Sequence, residues 1–339
     1  MSKHGLGQWL EALWYDGRLK AIWLLPFTGI YLLAITVRRF FYRSGLLTVT
    51  TFPVPVIIVG NITVGGTGKT PLIIWLARFL AKSGYRPGII SRGYGGKADQ
   101  WPQWVTVHSD PCSIGDEALL IVRQSKCPMA VGPSRVASAA MLLQRSDCDV
   151  ILSDDGLQHY ALHRDIEIAV IDATRRLGNG FCLPAGPLRE PASRLQQVDL
   201  VISNGGGAGQ NEFAMQIHAG HAVNLVTGEQ RELHWFVTQP CHALAGIGNP
   251  QRFFNLLSAN NIDCERYIFP DHYFFQARDI SFADEKPVLM TEKDAVKCHD
   301  FATERHWYVA IEAVPQEEFG QRLLRLLANL SVADSEVKD

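Results

Sequence analysis

Residues 56–76 read V-I-I-V-G-N-I-T-V-G-G-T-G-K-T-P-L-I-I-W-L. Val56 to Val59 is a short β-branched apolar run, which reads as a buried strand. A loop from Gly60 to Gly68 follows, in which Gly65, Gly66 and Gly68 let the backbone curl and bring its N–H groups close to a ligand. Lys69-Thr70 opens a helix, and Pro71 is tolerated there because first-turn N–H groups have no intrahelical partner. This order makes an anion cradle. Loop amides and the helix N-terminus face phosphates, the lysine reaches the outer ones, and the threonine hydroxyl can ligate Mg²⁺. Its lining would be Thr63, Val64, Gly65, Gly66, Thr67, Gly68, Lys69 and Thr70. The pattern departs from G-x-x-x-x-G-K-[ST] at Thr63, where a glycine is expected. A glycine-rich turn with a chance Gly-Lys-Thr is the plain alternative, but strand and helix signals stand on both sides. The stretch reads as a nucleotide phosphate site on a doubly wound α/β sheet.

The 339 residues allow two domains, or one with additions. A net charge of −2 implies no nucleic-acid footprint but hides an asymmetry. Residues 1–43 carry Lys3, Arg18, Lys20, Arg38, Arg39 and Arg43 against Glu11 and Asp16, a net +4, which leaves −6 for the rest. A basic, apolar N-terminus on an acidic body points to a membrane surface with anionic lipid. The seven cysteines are odd in number and form no C-x-x-C pair, which argues against a disulfide framework or a zinc site and fits a reducing cytosol.

Within that N-terminus, Trp9, Leu10, Leu13, Trp14 and Tyr15 are apolar at near-helical spacing. Ala21 to Val37 then gives 17 residues without a charge, followed by Arg38-Arg39-Phe40-Phe41-Tyr42-Arg43. A spanning helix needs roughly 20 apolar residues, so the run is at the lower edge, weakened by Pro26 and Gly29. A cleaved signal peptide is disfavoured by the late start and the missing small-residue cleavage site. A buried core helix is the bland alternative. The aromatic and arginine edges favour an interfacial or barely spanning anchor.

Downstream, a helix Leu72–Ser83 leads to a second strand, Pro87–Ser91, whose end carries Arg92 and Tyr94 where ligands of such sheets bind. Gly115-Asp116-Glu117 precedes an apolar helix; its acids either favour the helix N-terminus or supply a carboxylate beside the phosphates. Val150–Ser153 is a strand delivering Asp154-Asp155, then Gln158 and His159. A carboxylate at such a strand end organises Mg²⁺ in phosphate-loop proteins. Strands Ile166–Ile171 and Leu200–Ile202 follow. Asn204 and the glycines after it either approach the base of the nucleotide or merely turn. Residues 213–237 alternate around Thr227-Gly228-Glu229 as a two-stranded ribbon. A second α/β unit begins at Cys241, with strand His242–Ala245, helix Gln251–Ala259, and strand Val288–Thr291 running into a polar turn. The expected division is an N-terminal segment 1–44, a phosphate-loop core 45–212, a ribbon 213–240, a smaller lobe 241–331 and a polar tail 332–339.

The ordered motifs Asn61…Gly65-Gly66-Thr67-Gly68-Lys69-Thr70-Pro71, Ser91-Arg92-Gly93-Tyr94-Gly95, Gly115-Asp116-Glu117, Asp154-Asp155-Gly156-Leu157-Gln158-His159, Pro184 through Pro191, Pro270-Asp271-His272 and Thr291 through Lys297 closely resemble those of the tetraacyldisaccharide 4′-kinases, the lipid A 4′-kinases of Gram-negative bacteria. The resemblance runs from the apolar N-terminus to about residue 312. It implies transfer of phosphate from ATP, with Mg²⁺, to the 4′-hydroxyl of a tetraacylated glucosamine disaccharide at the cytoplasmic face of the inner membrane. It further implies two α/β lobes joined by a ribbon with ATP between them. Asp116 would be the base for the sugar hydroxyl, paired with His272; Lys69 would neutralise phosphate charge. Thr70, Asp154, Asp155 and Glu190 would serve Mg²⁺, and Arg92, Tyr94, Gln158 and His159 the substrate. No nucleic acid or obligate protein partner is implied. Three rivals stand beside it: a membrane-docking switch ATPase, a kinase for a soluble metabolite, and a nucleotide-binding scaffold without turnover.

Overall fold

The structure is a computed structural model that describes residues 13–15 and 20–336. The expectations for Trp9 and Leu10 and for residues 337–339 lie outside that range. All thirteen strands among the described residues join one sheet.

Helix α1 (Leu25–Arg43) comes first. Strand β1 (Val56–Gly60), fully buried, sits in the middle of the core and feeds helix α2 (Lys69–Lys82). Strands β2 (Pro87–Ser91), β3 (Gln103–Val105), β4 (Met129–Val131), β5 (Val150–Asp154), β6 (Ile166–Asp172) and β7 (Leu200–Asn204) complete the core, with the order β3-β4-β2-β5-β1-β6-β7. Only the edge strand β3 runs antiparallel to its neighbour. The parallel strands are continuous apolar runs because helices cover both faces. One layer buries Leu72, Ile73, Leu76 and Leu80 of α2 against Ile57, Ile89 and Leu152, and the other buries Ile58, Ile90 and Ile151 with Leu142 and Leu157. Strands β3 and β4 are short, and their alternation is too brief to read from sequence. The same holds for helix α3 (Pro111–Ile114). Helix α4 (Asp116–Ser125) matches expectation; helix α5 (Arg135–Arg145), capped by Ser134, has no marked counterpart in the sequence reading.

The ribbon differs from the expected hairpin. Strand β8 (Phe213–Asn224) turns back only through the two-residue β9 (Gln230–Arg231), because Leu233 and Phe236 are drawn into the smaller lobe's core as a 3₁₀ turn. Its main partner is β13 (His306–Pro315), which pairs antiparallel from Trp307↔Asn224 to Pro315↔Met215 with a bulge between Val309 and Ile311. The smaller lobe contributes β10 (Cys241–Ala245), helix α6 (Pro250–Ala259), β11 (Cys264–Ile268), β12 (Val288–Thr291) and helix α7 (Glu292–Cys298). The polar turn expected after β12 is that last helix, with Thr291 accepting from the Asp294 N–H at 3.1 Å as its N-cap. Helix α8 (Glu317–Glu336) continues past residue 332, where a tail is expected, since no Gly or Pro follows Gly320 within it. Its Phe319, Leu323 and Leu327 pack on α2, in the core rather than the smaller lobe.

Helix α1 is long and apolar enough to cross a membrane. It leaves Phe27, Ile30 and Leu33 exposed, and Trp23 in the 3₁₀ turn just before it is exposed too. Its opposite face is fastened to the loop around Cys182–Arg189. The Thr28 hydroxyl donates to the Cys182 carbonyl at 3.1 Å and accepts from the Ala185 N–H at 3.2 Å, and the Tyr31 hydroxyl donates to the Arg189 carbonyl at 2.8 Å.

Candidate active site

The strand ends of the core and the facing edge of the smaller lobe enclose a cleft of about 1750 Å³, lined by Gly65–Thr70, Asp154, Asp155 and His272. Gly65 and Gly68 have φ of 105° and 93°, the left-handed backbone that a tight phosphate loop needs. Lys69 donates to the Asn61 side-chain oxygen at 3.1 Å and lies 3.5 Å from Asp155. The Thr67 hydroxyl oxygen is buried without a hydrogen-bond partner. A buried polar atom left unpaired in a native fold calls for an explanation, and a phosphate oxygen in the cradle is a fitting partner.

Parallel pairing of β1 with β5 puts Asp154 opposite Val59, so its carboxylate emerges at the root of the loop. Asp154 accepts from the Ser91 hydroxyl at 3.2 Å, while its other oxygen is buried and unpartnered. Burial, helped by the charge of Glu117, pushes its carboxyl up to about 7. Asp155 differs. Burial would raise it too, but Lys69 and Arg189 outweigh that and hold it at about 2. The Arg189 guanidinium meets both Asp155 oxygens at 3.1 and 3.0 Å. Arg135, 3% exposed, ties the carbonyls of Asp154 and Asp155 at 3.3 Å each.

Glu190 departs from the metal role that the resemblance implies. It is 1% exposed, and both oxygens are engaged: Gln158 at 2.7 Å, Tyr160 at 2.7 Å, Arg194 at 3.3 Å and Arg39 of α1 at 3.6 Å. Two guanidinium groups and a phenol surround it, so its charge is compensated within the protein. Gln158 also lines the cleft and donates to the Asn61 carbonyl at 3.2 Å, bracing the loop. His159 is held at about 4, first by burial and then by Arg135, Arg164, Arg38 and Arg92. Arg92 and Tyr94 are exposed at the cleft rim.

Asp116 and His272 come together across the lobes. His272 Nδ1 lies 3.1 Å from each Asp116 oxygen. Gly115 makes this possible: its φ is 91°, and a Cβ there would meet the Tyr94 carbonyl oxygen at 2.4 Å. Tyr94 leans on the imidazole with ring centroids 5.0 Å apart. Burial works against the Asp116 charge, but the His272 hydrogen bond and the nearby Lys293 and Lys297 prevail, so the carboxyl stays below its ordinary 3.8. For His272, burial opposes protonation and Asp116 outweighs it, so the imidazole sits above 6.5. Lys293, without a role in the sequence reading, bridges Glu117 at 3.0 Å, Asp271 at 3.3 Å and His272 Nε2 at 3.4 Å. Its place in the Thr291–Lys297 motif was the available signal. Arg135 and Arg252 had none, as isolated arginines on helices.

Asp154, Asp155 and Thr70 line the same cleft and offer hard oxygen donors. Among the described residues no group of three or more His, Cys, Asp or Glu side chains forms a metal cage. A small set of this kind fits Mg²⁺, which takes one or two carboxylates and completes its shell with phosphate and water.

Comparison with known proteins matches both the fold and the motifs. A family model described as tetraacyldisaccharide-1-P 4′-kinase covers residues 20–328. A tetraacyldisaccharide 4′-kinase of Nitrosococcus oceani is 53% identical over 314 residues, 93% of each chain. The namesake from Alkalilimnicola ehrlichii is 48% identical over 325 residues, 95% of this chain and 97% of its own. A crystal structure of LpxK from Aquifex aeolicus in complex with ATP superposes with a TM-score of 0.78 at 26% identity, spanning 91% of this chain and all of that one. Since matches of this extent take in both lobes and the loop, strand-end acids and Asp-His pair described above, the chain belongs to the tetraacyldisaccharide-1-P 4′-kinase family.

Proposed function

We propose that this chain transfers the γ-phosphate of ATP to the 4′-hydroxyl of a tetraacylated glucosamine disaccharide 1-phosphate, with Asp116 as the general base. The observation that carries the assignment is the pairing of Asp116 with His272 at the rim of a phosphate-loop cleft, from opposite lobes. Asp116 is ionised at neutral pH and 5% exposed, which suits it to take the hydroxyl proton. His272 orients that carboxylate. The acceptor oxygen forms its bond to the γ-phosphorus as the bond from phosphorus to the bridging β–γ oxygen breaks, and ADP departs with that oxygen.

Lys69 supplies positive charge at the outer phosphates, and loop N–H groups hold the inner ones. Asp154, Asp155 and Thr70 would hold Mg²⁺, which would neutralise the charge on the phosphates. Arg189 fixes Asp155 by meeting both of its oxygens, and Arg92 and Tyr94 at the rim would meet the sugar. Helix α1, apolar outside and carrying Arg38 and Arg43 in its last turns, would rest at the cytoplasmic face of a bacterial inner membrane whose anionic lipid attracts those arginines.

The test is transfer of label from γ-labelled ATP to a tetraacyl disaccharide 1-phosphate in mixed micelles. Labelled lipid with the wild type, and a loss of about 10²- to 10⁴-fold in kcat for Asp116→Asn, is the expected result. Labelled inorganic phosphate without labelled lipid would overturn the assignment in favour of a switch ATPase.

A further inference from the structure

Arg252 lies on α6 of the smaller lobe yet reaches the core. Its Nη2 donates to the side-chain oxygen of Asn204 at 2.6 Å, and its Nη1 lies 3.9 Å from Asp172. Asn204 ends β7 and is 1% exposed. Its Nδ2 donates to the Thr67 carbonyl at 2.9 Å, inside the phosphate loop. That nitrogen also stands 2.1 Å from where a Cβ on Gly68 would be, so Asn204 abuts the left-handed residue at the mouth of α2.

The two contacts fix the amide's orientation. A guanidinium has only donors, so it requires the oxygen; a carbonyl is only an acceptor, so it requires the NH₂. Turning the amide over would set oxygen against oxygen and donor against donor. Taking Arg252 away would leave a buried amide oxygen unpaired, which is costly. Asn204 is thus held against the loop from the opposite lobe.

We propose that Arg252 is a positioning residue for the nucleotide: acting through Asn204, it makes the shape of the phosphate loop depend on the smaller lobe being closed. Closing the lobe brings up the guanidinium, which orients the amide, which braces Thr67 and Gly68. Nucleotide binding and lobe closure are then one coupled equilibrium, and each favours the other to the same extent. His272 and Lys293 make the lobe's contacts on the acceptor side of the cleft, whereas Arg252 makes its contact on the nucleotide side. The proposal rests on the kinase reading but is tested on nucleotide binding alone, so its failure is separable from a failure of lipid phosphorylation.

The experiment is a double-mutant cycle on Arg252→Ala and Asn204→Ala, read as the affinity for a non-hydrolysable ATP analogue. Each single variant is expected to weaken binding about 10- to 100-fold, the range for a charge-assisted hydrogen bond to a buried group. The double variant should be no weaker than the poorer single one. Arg252→Lys should recover part of the loss, and KM for the acylated disaccharide should stay near wild type. Should Asn204→Ala fail to fold, Asn204→Asp serves in its place: it strengthens pairing to Arg252 but sets an oxygen against the Thr67 carbonyl, and so should still weaken the analogue. Additive losses, wild-type affinity in Arg252→Ala, or a loss shared equally by the lipid substrate would each overturn the proposal.

Discussion

Glu190 is the residue at which a structural and a metal-binding role part most cleanly, and Glu190→Gln separates them. The substitution preserves volume and one acceptor oxygen, but it removes a negative charge facing Arg194 at 3.3 Å and Arg39 at 3.6 Å, and it turns an NH₂ toward groups that are themselves donors. Gln158 and Tyr160, both at 2.7 Å, then compete for one oxygen. Breaking a buried pair costs about 3–5 kcal/mol when the remaining charge is left alone. Arg194 keeps Glu167 as a second partner, and Arg39 is bonded to Gln197 at 2.8 Å, so the cost falls below that range, at about 2–3 kcal/mol. For a chain of this size that lowers Tm by about 3–4 °C. Thermal unfolding of wild type and variant without nucleotide, with the Mg²⁺ dependence of turnover measured beside it, provides the assay. A variant as stable as wild type that needs several-fold more Mg²⁺ would refute the reasoning and return Glu190 to the metal.

Gly115→Ala should lower turnover by about 10-fold or more at modest cost in stability, since a strained backbone of about 1–3 kcal/mol displaces Asp116; unchanged kcat would sink the idea. The stability lost in His272→Gln should depend on pH. The raised His272 value means its contribution is complete below 6.5 and fades as pH rises through the folded value, while the lowered Asp116 value means the contribution fails only as pH drops below 3.8. The Tm deficit of that variant should therefore be larger at about pH 5.5 than at about pH 8.5, and an equal deficit would contradict the pairing. Phe27→Asp with Leu33→Asp alters only the outward face of α1 and spares Thr28 and Tyr31. Flotation with vesicles containing anionic lipid should show binding weakened by about 100-fold or more, and undiminished binding would dismiss the anchor.

What could be read from the sequence was local. The phosphate loop announces itself because strand, glycines and Lys69-Thr70 are contiguous, and Asp154 because a strand delivers it. Asp116 and His272 were individually ambiguous and became a pair only through their motifs. The expected turn at Thr227-Gly228-Glu229 does join two paired strands, but alternation at 213–237 says nothing about the longer partner of β8, which lies some 90 residues on at His306–Pro315. Glu190 shows the same limit. The resemblance assigns Glu190 to Mg²⁺, and its burial among Tyr160, Arg194 and Arg39 shows where its charge is compensated. Arg252 carries no signal in the sequence, and Asn204 reads only as a strand end near the nucleotide or a turn, since their relation exists only where two lobes meet.

The unbroken sheet has a mechanical consequence. Two bodies on a slack tether can swing apart freely, but here β7, β8, β13 and β12 carry hydrogen-bonded ladders straight through the junction. Opening the cleft therefore means twisting a ribbon about its long axis, as one loads a torsion bar, and the restoring force grows with the angle. The bulge between Val309 and Ile311 interrupts the ladder along that bar. A lengthened or straightened strand there would stiffen the molecule and slow the release of ADP without touching a single group in the cleft.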